Sequence, residues 1–125
     1  MAAEDPLTAD ECATWLTSAD ARYAFRYLLE FGAKLRGYKC YLHRHGYLRT
    51  YRYETGGDRP YAFIVNRTSL LFYFRRAGMQ NPAANLPKLA RHFDDVLANN
   101  RGEIQLRIVN EEQARQLMGL IFGRS

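Results

Sequence analysis

The stretch YLHRHGYLRTYRYETGGDRPYAFIVNRTSLLFYFRR, residues 41–76, alternates between two classes of side chain with the period of a β-strand. Turn-forming residues interrupt it at His45-Gly46, at Thr55–Pro60 and at Asn66–Thr68. The pattern predicts four strands, near residues 38–43, 47–54, 61–66 and 69–76. Connections this short require antiparallel neighbours, because parallel strands need a long crossover. The stretch therefore predicts a four-stranded antiparallel meander.

Two helices are predicted ahead of the meander. Thr8 and Glu11 fit a capping box at the start of a short helix that ends near Leu16. A longer helix begins near Ser18, ends at Gly37 and carries one apolar stripe, made of Ala21, Ala24, Phe25, Leu28, Gly32 and Leu35. Residues 1–7 are predicted to be a flexible tail, and residues 8–125 to form a single domain.

Helical spacing returns after the meander and a loop at residues 77–85. Asn85 is a capping residue for a helix whose expected buried stripe is Leu86, Leu89, Ala90, Phe93, Val96 and Leu97. Alternation over Glu103–Val109 predicts another strand, and Asn110 caps a last helix. The order helix, helix, four strands, helix, strand, helix predicts an α+β domain with its helices packed on one face of the sheet. The other face would then meet solvent or a partner.

Basic residues are concentrated in one third of the chain. Residues 34–76 contain ten Lys/Arg and two acids, Glu54 and Asp58, a net charge of +8. The remaining residues contain eight Lys/Arg and eleven acids, a net charge of −3. The basic segment also holds seven of the nine tyrosines. A surface that interleaved both signs would be typical of simple solvation, so this imbalance favours a polyanionic partner.

Alternation along the strands predicts which basic and aromatic residues share a face. In the second strand Tyr47, Arg49, Tyr51 and Tyr53 share one face and, in a suitable register, adjoin Lys39, Tyr41 and His43. Arginines pair with phosphates through a bidentate fork, and flat rings stack on unpaired bases. These properties predict a DNA- or RNA-binding module whose contact residues are Lys39, Tyr41, Arg44, Arg49, Tyr51, Arg52, Tyr53, Arg67, Arg75 and Arg76.

Two other interpretations fit the same residues. Tyrosine and arginine are favoured interface anchors, so the basic face also suits an acidic protein partner, as in an inhibitor or adaptor. Tyrosine also has a high strand propensity and arginine covers apolar surface with its stem, so the face can be a solvated finish to the sheet. An unpaired sheet edge leaves pairing with a second copy of the chain open.

Catalysis and cofactors receive little support from the motifs. His43 and His45 lie near Cys40, but they lack further ligands and Arg44 stands between them, so no metal and no cofactor is predicted. A third hypothesis is a metal-dependent nuclease using Asp94 or Asp95 with Glu103. No apolar segment is long enough to span a bilayer and no secretory pattern is found, so a reduced, cytoplasmic protein with no membrane partner is expected.

Overall fold

Two helices precede the sheet, as the capping residues predict. In the computed structural model, which describes residues 6–123, α1 spans Ala9–Trp15 and α2 spans Ala19–Ala33. Thr8 Oγ1 accepts a hydrogen bond from the Glu11 amide at 3.1 Å, and Ser18 Oγ accepts one from the Ala21 amide at 3.2 Å. Each bond satisfies an amide that has no partner within its own helix. The predicted tail falls largely outside the described residues, but Leu7 is buried in the core.

Six antiparallel strands form the sheet. They are β1 (Lys39–His45), β2 (Leu48–Thr55), β3 (Asp58–Val65), β4 (Leu70–Phe74), β5 (Asp94–Ala98) and β6 (Ile104–Ile108). Their order across the sheet is β1-β2-β3-β4-β6-β5, so β1 and β5 are its edges. The α+β class is confirmed. The sheet is larger than the predicted four-stranded meander, because β6 pairs with β4 and β5 pairs with β6.

Only the first half of the helix predicted over residues 86–97 is present in the structure. A 3₁₀ turn at Ala77–Gln80 leads to α3, which covers only Leu86–Ala90 and is capped by Asn85. The chain then enters β5, where Asp95 adopts a left-handed conformation with φ 53°. β6 would otherwise expose a row of unpaired backbone groups, and β5 pairs with that row. Long-range pairing thus overrides a helical spacing that Val96 and Leu97 also satisfy.

One face of the sheet carries the core. α2 packs there together with α4, which spans Glu111–Phe122 and is capped by Asn110. The strands contribute these buried side chains: Tyr51, Tyr53, Tyr61, Phe63, Val65, Leu70, Phe72, Phe74, Ile104, Leu106 and Ile108. Gly32 of α2 lies directly against the Tyr51 ring, and a Cβ at this position would overlap the hydroxyl. The rings and the two helices therefore enclose this face.

The opposite face of the sheet remains largely open. Cross-strand pairing places Arg52, Ala62, Tyr73 and Gln105 in one row across β2, β3, β4 and β6. Most of these side chains are partly exposed.

Within residues 6–123, no helix combines the length and the apolar character that crossing a bilayer requires.

Candidate polyanion-binding groove

The open face of the sheet forms a concave cavity of about 930 Å³. Its uncharged lining residues include Thr50, Ala62, Ile64 and Tyr73. Five arginines line it, and the cavity is called the arginine groove after them: Arg52, Arg59, Arg75, Arg76 and Arg101. Arg52 is on β2 and Arg59 on β3, Arg75 and Arg76 directly follow β4, and Arg101 is in the β5–β6 loop. Residues distant in sequence thus converge on one surface.

The charge of the groove is strongly positive. Its lining contains five arginines and two carboxylates, Asp58 and Glu103, which leaves a net charge of +3. Glu103 is 6% exposed and accepts hydrogen bonds from Arg75 Nε at 2.9 Å and from Asn99 Nδ2 at 3.2 Å. The other four arginines form no ion pair with the residues that the structure describes, 6–123. Their guanidinium groups are therefore available to an anionic ligand.

Arg52, Arg75 and Arg76 are the predicted contact residues that lie in the groove. Lys39 and Tyr41 lie beside it on edge strand β1, where Tyr41 is paired across the strands with Arg52. The Tyr41 hydroxyl donates to Glu54 Oε2 at 2.8 Å, and Lys39 Nζ lies 5.5 Å from the centroid of the Tyr41 ring. These two side chains extend the surface beyond the groove.

The expected placement of Tyr51 and Tyr53 on an exposed face is corrected by the structure. Tyr51 is 3% exposed and Tyr53 is fully buried. The register pairs Tyr51 with Phe63 and Tyr53 with Tyr61, so both rings pack in the aromatic core beneath the helices. The alternation of β2 was read correctly, but the face that carries these rings is the covered one. Neither ring is available to stack on a base.

Arg44, Arg49 and Arg67 lie away from the groove, around α1. Arg44 donates to both carboxylate oxygens of Glu11, at 2.8 and 2.7 Å, and Arg49 Nε lies 3.6 Å from Glu11 Oε2. The guanidinium carbons of Arg49 and Arg67 are 3.9 and 4.2 Å from the centroid of the Trp15 ring. Two groups this close cannot share one face of the ring without overlapping, so Trp15 is held between them. The hydrogen bond from Arg44 is the main cause that lowers the pKa of Glu11. In the described structure these three arginines hold α1 against the sheet.

The sequence-based set of contact residues omitted two of the five groove arginines, Arg59 and Arg101, and the groove tyrosine Tyr73. Tyr73 lies two residues before Arg75, so strand alternation places both on one face, and both line the groove. The position of Tyr73 was therefore detectable from the sequence. Arg59 belongs to the basic segment, but the sequence pattern assigned it to the Thr55–Pro60 turn, whereas the structure places it at the start of β3. Arg101 lies outside the basic segment, and only the β5–β6 hairpin brings it to the groove.

The carboxylates required by the nuclease hypothesis are not brought together. In the β5–β6 pair, Asp94 lies opposite Arg107, whereas Glu103 is beyond Ile104 at the other end of the pair. Asp95 forms an ion pair with Arg107 at 3.0 Å, and Glu103 forms one with Arg75. Within residues 6–123, no three His, Cys, Asp or Glu side chains are grouped so that they could hold a metal ion.

The groove presents groups that can recognise anions. Guanidinium groups recognise phosphates and carboxylates through paired hydrogen bonds, and a partly exposed tyrosine can stack on a flat ring. Comparisons with protein-family models, curated proteins and solved structures found no significant match for this chain. A function must therefore be inferred from the groove itself.

Proposed function

We propose that the protein is a nucleic-acid-binding module that holds its ligand in the arginine groove. The observation that carries the proposal is the convergence of five arginines from four separate segments on one open sheet face. Phosphates recur at regular intervals along a nucleic acid, so a row of fixed cations can neutralise several of them at once. Arg59, Arg76 and Arg101 are exposed, and within the described residues they have no carboxylate partner that a phosphate would have to displace.

The ion pair beneath the groove supports the same function. Glu103 is buried and holds Arg75 by its Nε, and the side chain of Arg75 remains 46% exposed. The carboxylate thus fixes the direction of the guanidinium group and leaves its outer amino groups available. Positioning an arginine before the ligand arrives reduces the side-chain entropy that binding would otherwise cost.

A matched set of charge variants tests the proposal. Arg59→Gln and Arg101→Gln each remove one groove charge, whereas Arg26→Gln removes an exposed charge from α2, outside the groove. Fluorescence anisotropy against labelled DNA and RNA at several salt concentrations gives the salt dependence of binding. Each groove variant should weaken binding and reduce the slope of log K against log salt by about one unit. Arg26→Gln should leave both the affinity and the salt slope close to those of the wild type.

Two outcomes would contradict the proposal. Absence of binding to every probe at low salt would show that the groove does not hold nucleic acid. Equal effects of the groove variants and Arg26→Gln would show that the net charge, and not the groove, attracts the probe.

An acidic protein partner is the second candidate, and exposed apolar side chains beside the groove favour it. Tyr47, at the β1–β2 turn, is 99% exposed, and the neighbouring Leu48 is 41% exposed and lines the groove. Exposed aromatic residues next to arginines are typical interface anchors. Tyr47→Ala separates the two candidates, because it should strongly weaken a protein complex and leave the salt slope for nucleic acid unchanged.

A further inference from the structure

We propose that the ligand of the arginine groove is single-stranded and that one of its bases inserts above Ala62, between Tyr73 and Arg52. This inference rests on the proposed function and deepens it by naming the form of the nucleic acid. It depends on the floor of the groove, whereas the proposed function depends on the arginines around it.

The shape of the groove disfavours a duplex. Proteins that read a duplex insert a protruding helix or β-ribbon into its major groove. Here the arginines surround a depression, and its volume of about 930 Å³ is in the range of a site that encloses a small ligand. The bases of a duplex are hidden in its stack and cannot reach the floor of such a depression. An unpaired strand can turn its bases into the groove while its phosphates meet the arginines.

The row of residues across the sheet sets the spacing between the two walls of the proposed slot. Arg52, Ala62 and Tyr73 are cross-strand partners on three consecutive strands, and all three line the groove. The backbones of β2 and β4 are two strand spacings apart, roughly 10 Å. A base in van der Waals contact on both faces needs about 7 Å, which is twice the 3.4 Å stacking distance. Ala62 ends at its methyl group and is itself only 8% exposed, so a base above it would lie between the longer side chains of Arg52 and Tyr73.

The walls of the slot have the chemistry that bases require. Tyr73 makes none of the ring contacts that join the core aromatics among the described residues. Its ring is partly exposed and lines the groove. Arg52 forms no ion pair within residues 6–123, so its planar guanidinium group can stack on the second face of the base. A tyrosine and an arginine on either side of a base give affinity for any sequence, because every base has a flat face.

Filling the slot without changing the charge provides the test. Ala62→Leu places a larger side chain above the floor, and Tyr73→Leu removes the ring that forms one wall. Gln105→Leu is the matched control, because Gln105 is the cross-strand partner of Tyr73 on its other side and does not line the groove. The probes are labelled oligo(dT) and oligo(U) of about 12 nucleotides, with a duplex of equal length for comparison.

The wild type should bind the single strands more tightly than the duplex at equal salt. Ala62→Leu and Tyr73→Leu should each weaken single-strand binding about tenfold, with the salt slope and duplex binding unchanged. Gln105→Leu should stay within about twofold of the wild type. The near-UV circular dichroism of each variant establishes that it has folded, and if one does not fold, the other still carries the test.

Failure of this inference is distinguishable from failure of the proposed function. Suppose that binding depends on Arg59 and Arg101. If the duplex then binds as tightly as the single strands or more tightly, or if both slot variants bind like the wild type, the slot is overturned and nucleic-acid binding stands. Absence of binding to all three probes would overturn both. In the successful case, oligo(dU) is compared with oligo(U), because the two differ only in the 2′-hydroxyl and so show whether that group contributes.

Discussion

The two buried tyrosines Tyr53 and Tyr61 provide a sharp test of the core, because their hydroxyl groups differ in hydrogen bonding. Both rings lie in the same aromatic cluster and contact each other at 6.2 Å between centroids. The Tyr61 hydroxyl accepts a hydrogen bond from Asn81 Nδ2 at 3.1 Å. The Tyr53 hydroxyl is fully buried and has no hydrogen-bond partner among the described residues, 6–123. Replacing each tyrosine by phenylalanine removes one oxygen and keeps the ring.

The two variants should change the free energy of unfolding in opposite directions. A buried hydroxyl without a partner costs about 1–3 kcal/mol of desolvation, so Tyr53→Phe should raise stability by about 1 kcal/mol. Tyr61→Phe removes a hydrogen bond and leaves Asn81 with one partner fewer, so it should lower stability by about 1 kcal/mol. For a chain of this size each change corresponds to a shift of about 4 °C in Tm.

Urea unfolding followed by the fluorescence of Trp15, the sole tryptophan, measures both changes. The m-values of the two variants should equal that of the wild type, which shows that the midpoint shifts report stability. A loss of stability in Tyr53→Phe as large as that in Tyr61→Phe would refute the reasoning, because it would show that the Tyr53 hydroxyl is bonded. Tyr53→Phe should also leave nucleic-acid binding unchanged, since its ring lies beneath the helices.

Three further predictions concern α1, the 3₁₀ turn and the cysteines. Because the pKa of Glu11 is lowered from its ordinary value of 4.5, the stability that this carboxylate contributes is present above pH 4.5 and is lost as the pH falls through the lower pKa of the folded state. Urea midpoints should therefore decline less in acid for Glu11→Gln than for the wild type. Equal declines would contradict the ion pair between Arg44 and Glu11. Gly78→Ala should destabilise the fold by about 2 kcal/mol or more in the same urea assay, because its Cβ would overlap the Pro60 carbonyl oxygen. An unchanged urea midpoint would show that the 3₁₀ turn can shift to make room for the methyl group. Burial raises the pKa of both Cys12 and Cys40 to about 11, so both thiols should react slowly with a thiol reagent near neutral pH. Cys12 should react more slowly than Cys40, because it is fully buried. Equally rapid labelling of both thiols before unfolding would contradict this packing.

Local physical chemistry explains the parts of this structure that were predictable from the sequence. The caps at Thr8, Ser18, Asn85 and Asn110 each bond to an amide three residues away, so their role depends only on neighbours in the chain. The turns that separate β1 to β4 are equally local. Alternation in these strands follows from backbone geometry, and the spacing of two between Tyr73 and Arg75 places both on the face that carries the groove.

The parts that could not be predicted depend on contacts between distant residues. β5 exists because β6 offers an unpaired edge, and the residues of β5 alone fit a helical spacing equally well. Alternation divides β2 into two faces without saying which one the helices cover. The decision comes from β3 and β4: Phe63 is the cross-strand partner of Tyr51, Phe72 is that of Phe63, and both phenylalanines are fully buried on that side.

The sequence by itself determined the α+β class, the capped helix starts and a large excess of arginine and tyrosine in one third of the chain. Only the tertiary structure decided which of those residues meet. Packing of α2 and α4 on the aromatic face buried Tyr51 and Tyr53 and left Arg52 and Tyr73 on the open one. Docking of α1 took Arg44 and Arg49 into contact with Glu11, and the β5–β6 loop brought in Arg101. A binding surface is a property of spatial neighbours, and pairing and burial set those neighbours over distances that no local pattern encodes.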